Sequence, residues 1–485
     1  MNSVRSLAIL VLTVLPLAVG CGTTTASGPA GATVAPASTE LFLSVRTDSG
    51  SDQWKPAANL FEAFPDGDKA IQGILDQLGA QGIDFARDVE PALGPETDVV
   101  GLDLGKGEFV GLTQPDDAGK LKALLARADE ELFTRDVDGW TAFADSTAVL
   151  DRFESAREDG TLAGSSDYED AIAEVDQEAL ALFYLKGGGL QGTIRQEENL
   201  PPGALRALFP EGKVPSLAMS LKAEENGLRI AGAAKLAADE GGLAPENFKA
   251  DLPEQVPGGA LVYAGFNDFE SSLSALRDAM GEGAPDFDRD LARIEASLGV
   301  SLEEDIFPLF AGETALYVRP GFLIPEVTLV TQVDDEAAAM ATVGKLVAGL
   351  SEYLPAAQRV QDLDIDGVQA KEMPVSPPVS LYWAAFDGHL VLSSSRDGIA
   401  QLRKDDERLA DDRDFRDALE RAGVPEETNG FIYVNLHDAI PYVLGLAGEA
   451  VPATVRANLE PLDQLVLYSS KDGPTLKFAG FLGVD

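Results

Sequence analysis

One ten-residue block occurs twice in this chain. Gly82-Ile83-Asp84-Phe85-Ala86-Arg87-Asp88-Val89-Glu90-Pro91 returns as Gly299-Val300-Ser301-Leu302-Glu303-Glu304-Asp305-Ile306-Phe307-Pro308. Both copies reach a Glu-Thr pair soon after, Glu96-Thr97 and Glu313-Thr314. Four further matches follow in the same order. Thr113-Gln114-Pro115-Asp116-Asp117 pairs with Thr331-Gln332-Val333-Asp334-Asp335, and Asp136-Val137-Asp138-Gly139 with Asp364-Ile365-Asp366-Gly367. Asp167-Tyr168 with Ala171 pairs with Asp414-Phe415 with Ala418, and Phe183-Tyr184-Leu185 with Ile432-Tyr433-Val434. The offsets rise as 217, 217, 218, 228, 247 and 249, as insertions alone would make them do. A repeat of this length constrains the fold more than any composition, because each copy must bury its own face. It predicts a duplication with lobe one at 40–250 and lobe two at 251–485, joined through the Pro/Gly-rich stretch Pro253 to Gly259.

Local patterns give the fold class. Leu41 to Val45, Ala260 to Phe266, Glu108 to Thr113 and Val327 to Thr331 are apolar runs of strand length. Leu121, Leu124, Leu125 and Ala128 fall on one helical face, as do Met340, Val343, Val347 and Leu350. Asn226-Gly227 and Asp472-Gly473 sit between apolar runs and predict hairpins. Hairpins with helices between them predict an α+β protein: two duplicated lobes, each an antiparallel or mixed sheet with helices packed mainly on one side.

The N-terminus carries a different signal. Arg5 supplies a basic start, Leu7 to Leu17 is almost wholly apolar, and Leu17-Ala18-Val19-Gly20-Cys21 follows. This resembles the lipobox of bacterial lipoprotein signal peptides. The resemblance implies cleavage after residue 20 and diacylation of Cys21, the only cysteine of the chain. It predicts a protein anchored by lipid to the extracytoplasmic side of a membrane, since two acyl chains hold where one does not. Residues 21–39 are rich in Gly, Ala, Ser, Thr and Pro and read as a flexible tether.

Charge narrows the partners. The 37 basic and 81 acidic residues give a net charge of −44, which repels nucleic acid and the anionic face of a membrane. The Asp-Val/Ile-x-Pro block, the Thr-Gln-x-Asp-Asp block and the lipobox together resemble an uncharacterised family of exported proteins from high-GC Gram-positive and related bacteria, a domain of unknown function. The resemblance implies a fold and an extracytoplasmic location, and no activity.

Candidate chemistry is sparse. The Asp116-Asp117 and Asp334-Asp335 pairs suit helix N-caps. Asp136 to Gly139 and Asp362 to Gly367 imitate part of a calcium loop, but both lack a glutamate at the closing position and read as Asp-Gly turns. No metal site and no cofactor are expected. His389 and His437 are the only histidines and have no counterpart in lobe one. Ser395, at the end of Ser393-Ser394-Ser395, reads as an N-cap. Trp54, Trp140 and Trp383 suit a core. Trp383, with Tyr382 and after Pro377-Pro378, is also the candidate for an exposed ligand platform. The function expected is a surface-tethered, non-enzymatic binding or scaffold protein of the envelope, its protein or small-molecule partner unspecified. The alternative is an envelope-acting hydrolase using acidic residues in an inter-lobe cleft.

Overall fold

A computed structural model of the chain describes residues 28–48, 50–128, 131–188, 216–235, 245–274, 277, 287–321, 324–351, 359–376, 379–404, 406–448 and 451–485. The signal segment 1–20, Cys21, the first part of the tether, Pro377 and Pro378 lie outside them. The first half contributes strands β1 (Leu41–Arg46), β2 (Glu96–Asp103), β3 (Glu108–Thr113), β4 (Phe133–Val137), β5 (Trp140–Ala144), β6 (Ala181–Leu185), β7 (Leu217–Glu224) and β8 (Gly227–Lys235). Its helices of five or more residues are α1 (Trp54–Glu62), α2 (Gly67–Ala80), α3 (Ala118–Leu125), α4 (Thr147–Arg157) and α5 (Ser166–Ile172). The second half contributes β9 (Val262–Phe266), β10 (Thr314–Arg319), β11 (Glu326–Gln332), β12 (Gln361–Ile365), β13 (Val368–Ser376), β14 (Val379–Phe386), β15 (His389–Ser393), β16 (Gly430–Asn435), β17 (Leu462–Asp472) and β18 (Thr475–Val484). Its helices are α6 (Phe287–Leu298), α7 (Glu336–Ser351), α8 (Arg396–Ala400), α9 (Arg413–Ala422), α10 (Leu436–Ala447) and α11 (Ala453–Leu459).

The chain is α+β, and its described strands pair antiparallel in one sheet. In the first half the order across the sheet is β4-β5-β3-β2-β1-β6-β7-β8. In the second half it is β12-β13-β14-β15-β11-β10-β9-β16-β17-β18. These are one order, with the hairpin β12–β13 added at the outer edge of the second half. The halves join where β8 pairs antiparallel with β18, from Gly227↔Gly483 to Lys235↔Thr475.

The repeated blocks have physical jobs. Asp84 and Ser301 each cap a single wide helical turn, accepting from Arg87 N and Glu304 N. Asp88 and Asp305 reach back and accept from Asp84 N and Ser301 N, at 2.9 Å in both halves. Glu96 accepts from Ala30 N and Gly31 N, and Glu313 accepts from Asp251 N and Leu252 N. Asp117 and Asp335 cap α3 and α7 through paired backbone N–H groups. Ser395 caps α8 by accepting from Gly398 N. One match falls differently in space. The counterpart of the Asp138-Gly139 hairpin is β14–β15, turning at Asp387-Gly388, because β15 pairs with β11 as β5 pairs with β3. Asp364 to Gly367 turns the added hairpin instead. All three Asp-Gly pairs have positive φ at both residues, the backbone of a tight two-residue hairpin.

Residues 28–39 are not a tether. Ala32, Val34 and Ala35 are buried in the first core with Phe42 and Val100, and Pro36 bridges to Thr161. Small residues are needed there for close packing, since a Cβ on Gly31 would meet Asp98 Oδ2 at 1.7 Å. Pro257 bridges to Arg408 in the matching place. The second half also starts earlier than 251. Phe248 bridges to Thr428, and Asn247 bonds both backbone groups of Lys471.

One face of the sheet is covered along its length. α4 and α5 bury Val149, Leu150, Phe153 and Tyr168 against it in the first half, and α8 and α9 bury Ile399, Phe415 and Ala418 in the second. Aromatic rings lock each core edge to face: Tyr168–Tyr184 at 5.1 Å and Phe415–Tyr433 at 5.1 Å. The other face is covered at its outer ends, by α3 over Phe143 and by α7 over Trp383 and Leu390.

Glu313 is buried and satisfies two backbone donors, whereas the Ala30 bond of Glu96 is solvent-exposed. Glu313→Ala is expected to destabilise the chain by about 2–3 kcal/mol and Glu96→Ala by less. Urea unfolding followed by circular dichroism measures both.

Candidate functional site

Between its covered ends the second sheet face is open among the described residues, apart from a rim of helices. Strand pairing places two apolar rows across it. The first runs Leu329, Leu316, Ala264, Ile432, Leu467, Gly480, Ile230 and Leu221, each residue opposite the next. The second runs Val327, Val318, Val262, Val434, Leu465, Leu482, Leu228 and Ala223 in the same way. The rows cross β11, β10, β9, β16, β17, β18, β8 and β7, about 34 Å at ~4.8 Å per strand spacing. Neither row holds a polar side chain. Leu316 is 37% exposed, Val327, Ile432 and Leu467 are 40% and Ile230 is 44%. Single exposed apolar residues are ordinary, but a contiguous patch on a folded chain marks an interaction surface.

A rim of helices runs along the second row. α1 packs Trp54, Ala57 and Leu60 against Ala223 and Val484, with Leu228 and Leu462 beside them. Trp54 Nε1 donates to the Arg46 carbonyl at 2.9 Å, which fixes that helix. Asp66, before α2, accepts from Asn458 Nδ2 of α11 at 2.6 Å, so the rim bridges the two halves. The Tyr442 hydroxyl of α10 donates to the Gly321 carbonyl at 3.1 Å and accepts from its N–H at 3.0 Å. α10 is apolar from Ile440 to Leu446 yet buries none of its described residues, and Val443 and Leu446 are more than half exposed. Val455 on α11 and Ile294 on α6 are exposed as well.

The residues singled out from sequence lie elsewhere. Trp383 is no platform: it is fully buried against α7 with Met373 and Leu390. The alternation Leu381, Trp383, Ala385 turns that side of β14 inward. Tyr382, on the opposite side, is half-buried. Its hydroxyl donates to Glu372 at 2.9 Å, and the Arg396 guanidinium lies 5.8 Å from its ring. Trp54 and Trp140 are core. The Asp-Gly acids are engaged in turns: Asp364 accepts from Gly367 N at 2.9 Å and Asp362 pairs with Lys371 at 2.6 Å. Among the described residues no group of three or more His, Cys, Asp or Glu side chains is placed to hold a metal ion.

Each histidine lines a cleft. His389 borders one of about 690 Å³ with Asp305, Pro308, Gln332, Asp335 and Thr342. Its Nδ1 lies 2.8 Å from the Asp387 carbonyl, while Asp305 and Asp335 are occupied by backbone donors. His437 borders one of about 210 Å³ with Asp463, Arg421 and the C-terminal Asp485. Burial and then Asp485 raise the Asp463 carboxyl, although Arg421 pairs with it at 2.9 Å.

One buried acid was not flagged by sequence. Asp98 on β2 is fully buried, faces Ser44 across the sheet, and has no hydrogen-bond partner at either oxygen among the described residues. Burial, then the Glu96 carboxylate, pushes it well above the usual carboxylate range, with the Ser44 hydroxyl working against this. Ala315 holds the matching place on β10.

The comparisons with known proteins follow this geometry. The family model for a protein of unknown function, DUF3352, matches residues 120–478. The chain belongs to that family. No curated protein matches. Among solved structures, crystal form IV of TP0453 is similar at 12% identity and a TM-score of 0.23, over 46% of this chain and 76% of that one. Form I of TP0453 is similar at 15% identity and 0.23, over 46% and 74%. Likeness at that level carries neither fold nor function to this DUF3352 chain. No helix among the described residues is long and apolar enough to cross a membrane.

Asp98 provides a pH test. The folded state keeps its proton to a higher pH than the unfolded state, so stability falls as pH rises above the ordinary carboxylate range. Asp98→Ala is expected to flatten that fall and to raise stability at pH 7 by about 1–2 kcal/mol. Urea midpoints between pH 4 and pH 8 measure it.

Proposed function

We propose that this chain is a non-enzymatic binding protein of the cell envelope, held on the extracytoplasmic side of a membrane by lipid on Cys21, with the open sheet face as its working surface. The observation that supports this is the pair of apolar rows, continuous across the seam between the halves and free of polar side chains. A folded chain that leaves such a face half-exposed, while covering the opposite face with four helices, has a use for it. The repeated strand order supports a duplication, and duplication explains how one apolar face came to be twice as wide. The signal and lipobox residues support the anchor. The hydrolase alternative calls for acidic residues in a cleft between the halves, and the two clefts described, beside His389 and His437, are each lined by the second half alone. A carbonyl orients the first, and the acids beside the second are partly neutralised by Arg421. Neither cleft joins an acid-oriented histidine to a nucleophile among the described residues.

Ile432→Asp combined with Leu467→Asp is expected to lower binding of Nile red at least tenfold. Stability should fall by about 1–2 kcal/mol, because each side chain is only 40% exposed and the two carboxylates stand opposite one another. Unchanged Nile red binding, measured by fluorescence titration, overturns the open face as the working surface. Cys21→Ser is expected to move the protein from the membrane fraction into the medium. A variant that is cleaved normally and stays in the membrane fraction overturns the anchor.

A further inference from the structure

Building on the reading of the open face as a binding surface, we infer that its occupant is a single lipid drawn from the adjacent bilayer, its acyl chains lying along the two rows. The argument starts from chemistry. A protein partner needs about one hydrogen bond per 100–200 Å² of interface. Sixteen consecutive row positions from Leu329 to Ala223 offer no polar side chain for one. An acyl chain needs only apolar area, at ~25 cal/mol per Å² buried.

Length agrees. An extended acyl chain reaches about half of the ~30 Å hydrocarbon core of a bilayer. The rows run about 34 Å across the strands, Leu228 and Ala223 of the second lying under α1, and the stretch from β11 to β18, about 24 Å, is still longer than one chain. The two rows are offset by two residues along each strand, about 7 Å, which separates two chains side by side. At Gly480 in the first row the Leu467 side chain lies over the glycine, since a Cβ there would meet its Cδ2 at 2.7 Å. The rim supplies a wall: Val443 and Leu446 of α10 and Val455 of α11 are apolar and unburied, next to the second row's end of the strands.

Position also agrees. Described structure begins at Gly28, seven residues after Cys21. Seven residues span at most about 25 Å. Gly31 is fastened to Glu96 at 2.8 Å, so the sheet cannot move further from the anchor than that leash allows. The nearest supply of apolar chains is the bilayer holding Cys21.

The test uses the full chain with Cys21→Ser, so that its own acyl groups are absent, mixed with phosphatidylcholine vesicles containing a fluorescent phosphatidylcholine. Protein is then separated from vesicles by gel filtration. The expected result is about one labelled lipid eluting with each vesicle-free protein, and at least a tenfold loss in the Ile432→Asp, Leu467→Asp variant with unchanged circular dichroism. Three results overturn the inference. Labelled lipid that stays only with vesicles, with protein adsorbed to them, makes the face a membrane-contact surface. Protein that carries no lipid and dimerises through the face, shown by light scattering and abolished in the variant, makes the occupant a second copy; the open face then stands as a binding surface. Protein that carries no lipid, stays monomeric and binds no Nile red removes the inference and the proposed function together.

Discussion

The antiparallel ladder between β8 and β18 is the constraint from which the rest of the architecture follows. Nine residue pairs hold it, from Gly227↔Gly483 to Lys235↔Thr475. A terminal hairpin left alone would expose a long edge, a template for pairing with any other strand. Each half caps the other's edge here. The ladder also fixes register. Strand side chains alternate with a period of two, so a slip of one residue would turn Ile230 inward and Arg229 outward. Arg229 stays on the covered side, where it pairs with Glu224 at 2.5 Å and lies 5.0 Å from the Phe481 ring. The rows of the two halves become continuous only because this register holds.

Much of the frame was legible in sequence because the repeated blocks encode backbone chemistry. A cap, a wide turn and a backbone-binding glutamate each need a particular acceptor at a fixed spacing, so they match between the halves where packing residues differ. Asp84 and Ser301 differ in type and do the same work. The cores drift in compensating pairs: Phe42 with Tyr168 in one half corresponds to Tyr263 with Phe415 in the other. The Asp-Gly match misled for the same reason that the caps did not. A two-residue hairpin accepts Asp-Gly wherever it occurs, and the second half has more than one such pair, so local identity could not say which was the counterpart. Spatial pairing with β11 decides it. The segment 28–39 misled because small residues suit a linker and a tight packing contact equally; only the neighbour, Asp98 beneath Gly31, tells them apart.

The open face was harder to read. Half-buried strands normally alternate apolar and polar, and a departure from alternation signals burial on both sides. Phe431-Ile432-Tyr433-Val434 and Leu465-Val466-Leu467 have no polar side to show, so they read as doubly covered strands. One signal was available. The helices between strands suffice to cover one face of so wide a sheet and the ends of the other. Trp383, which suited a core and was also offered as an exposed platform, is core, because the alternation of β14 turns it toward α7.

Acidity and an apolar face belong together in such a chain. A surface with net charge −44 keeps the body soluble and discourages edge and face association between copies. It also repels an anionic bilayer, so charge attraction cannot bring the open face to lipid. The covalent leash proposed at Cys21 would remove that need. Tethering replaces a bimolecular encounter with an intramolecular one whose effective concentration is set by linker length. With residues 28–39 clamped into the first core, the proposed leash would be only the few residues after Cys21, which would raise that concentration. The partly buried Glu96, by bonding Ala30 and Gly31, would thereby link the sheet to the distance from the proposed anchor at which its open face lies.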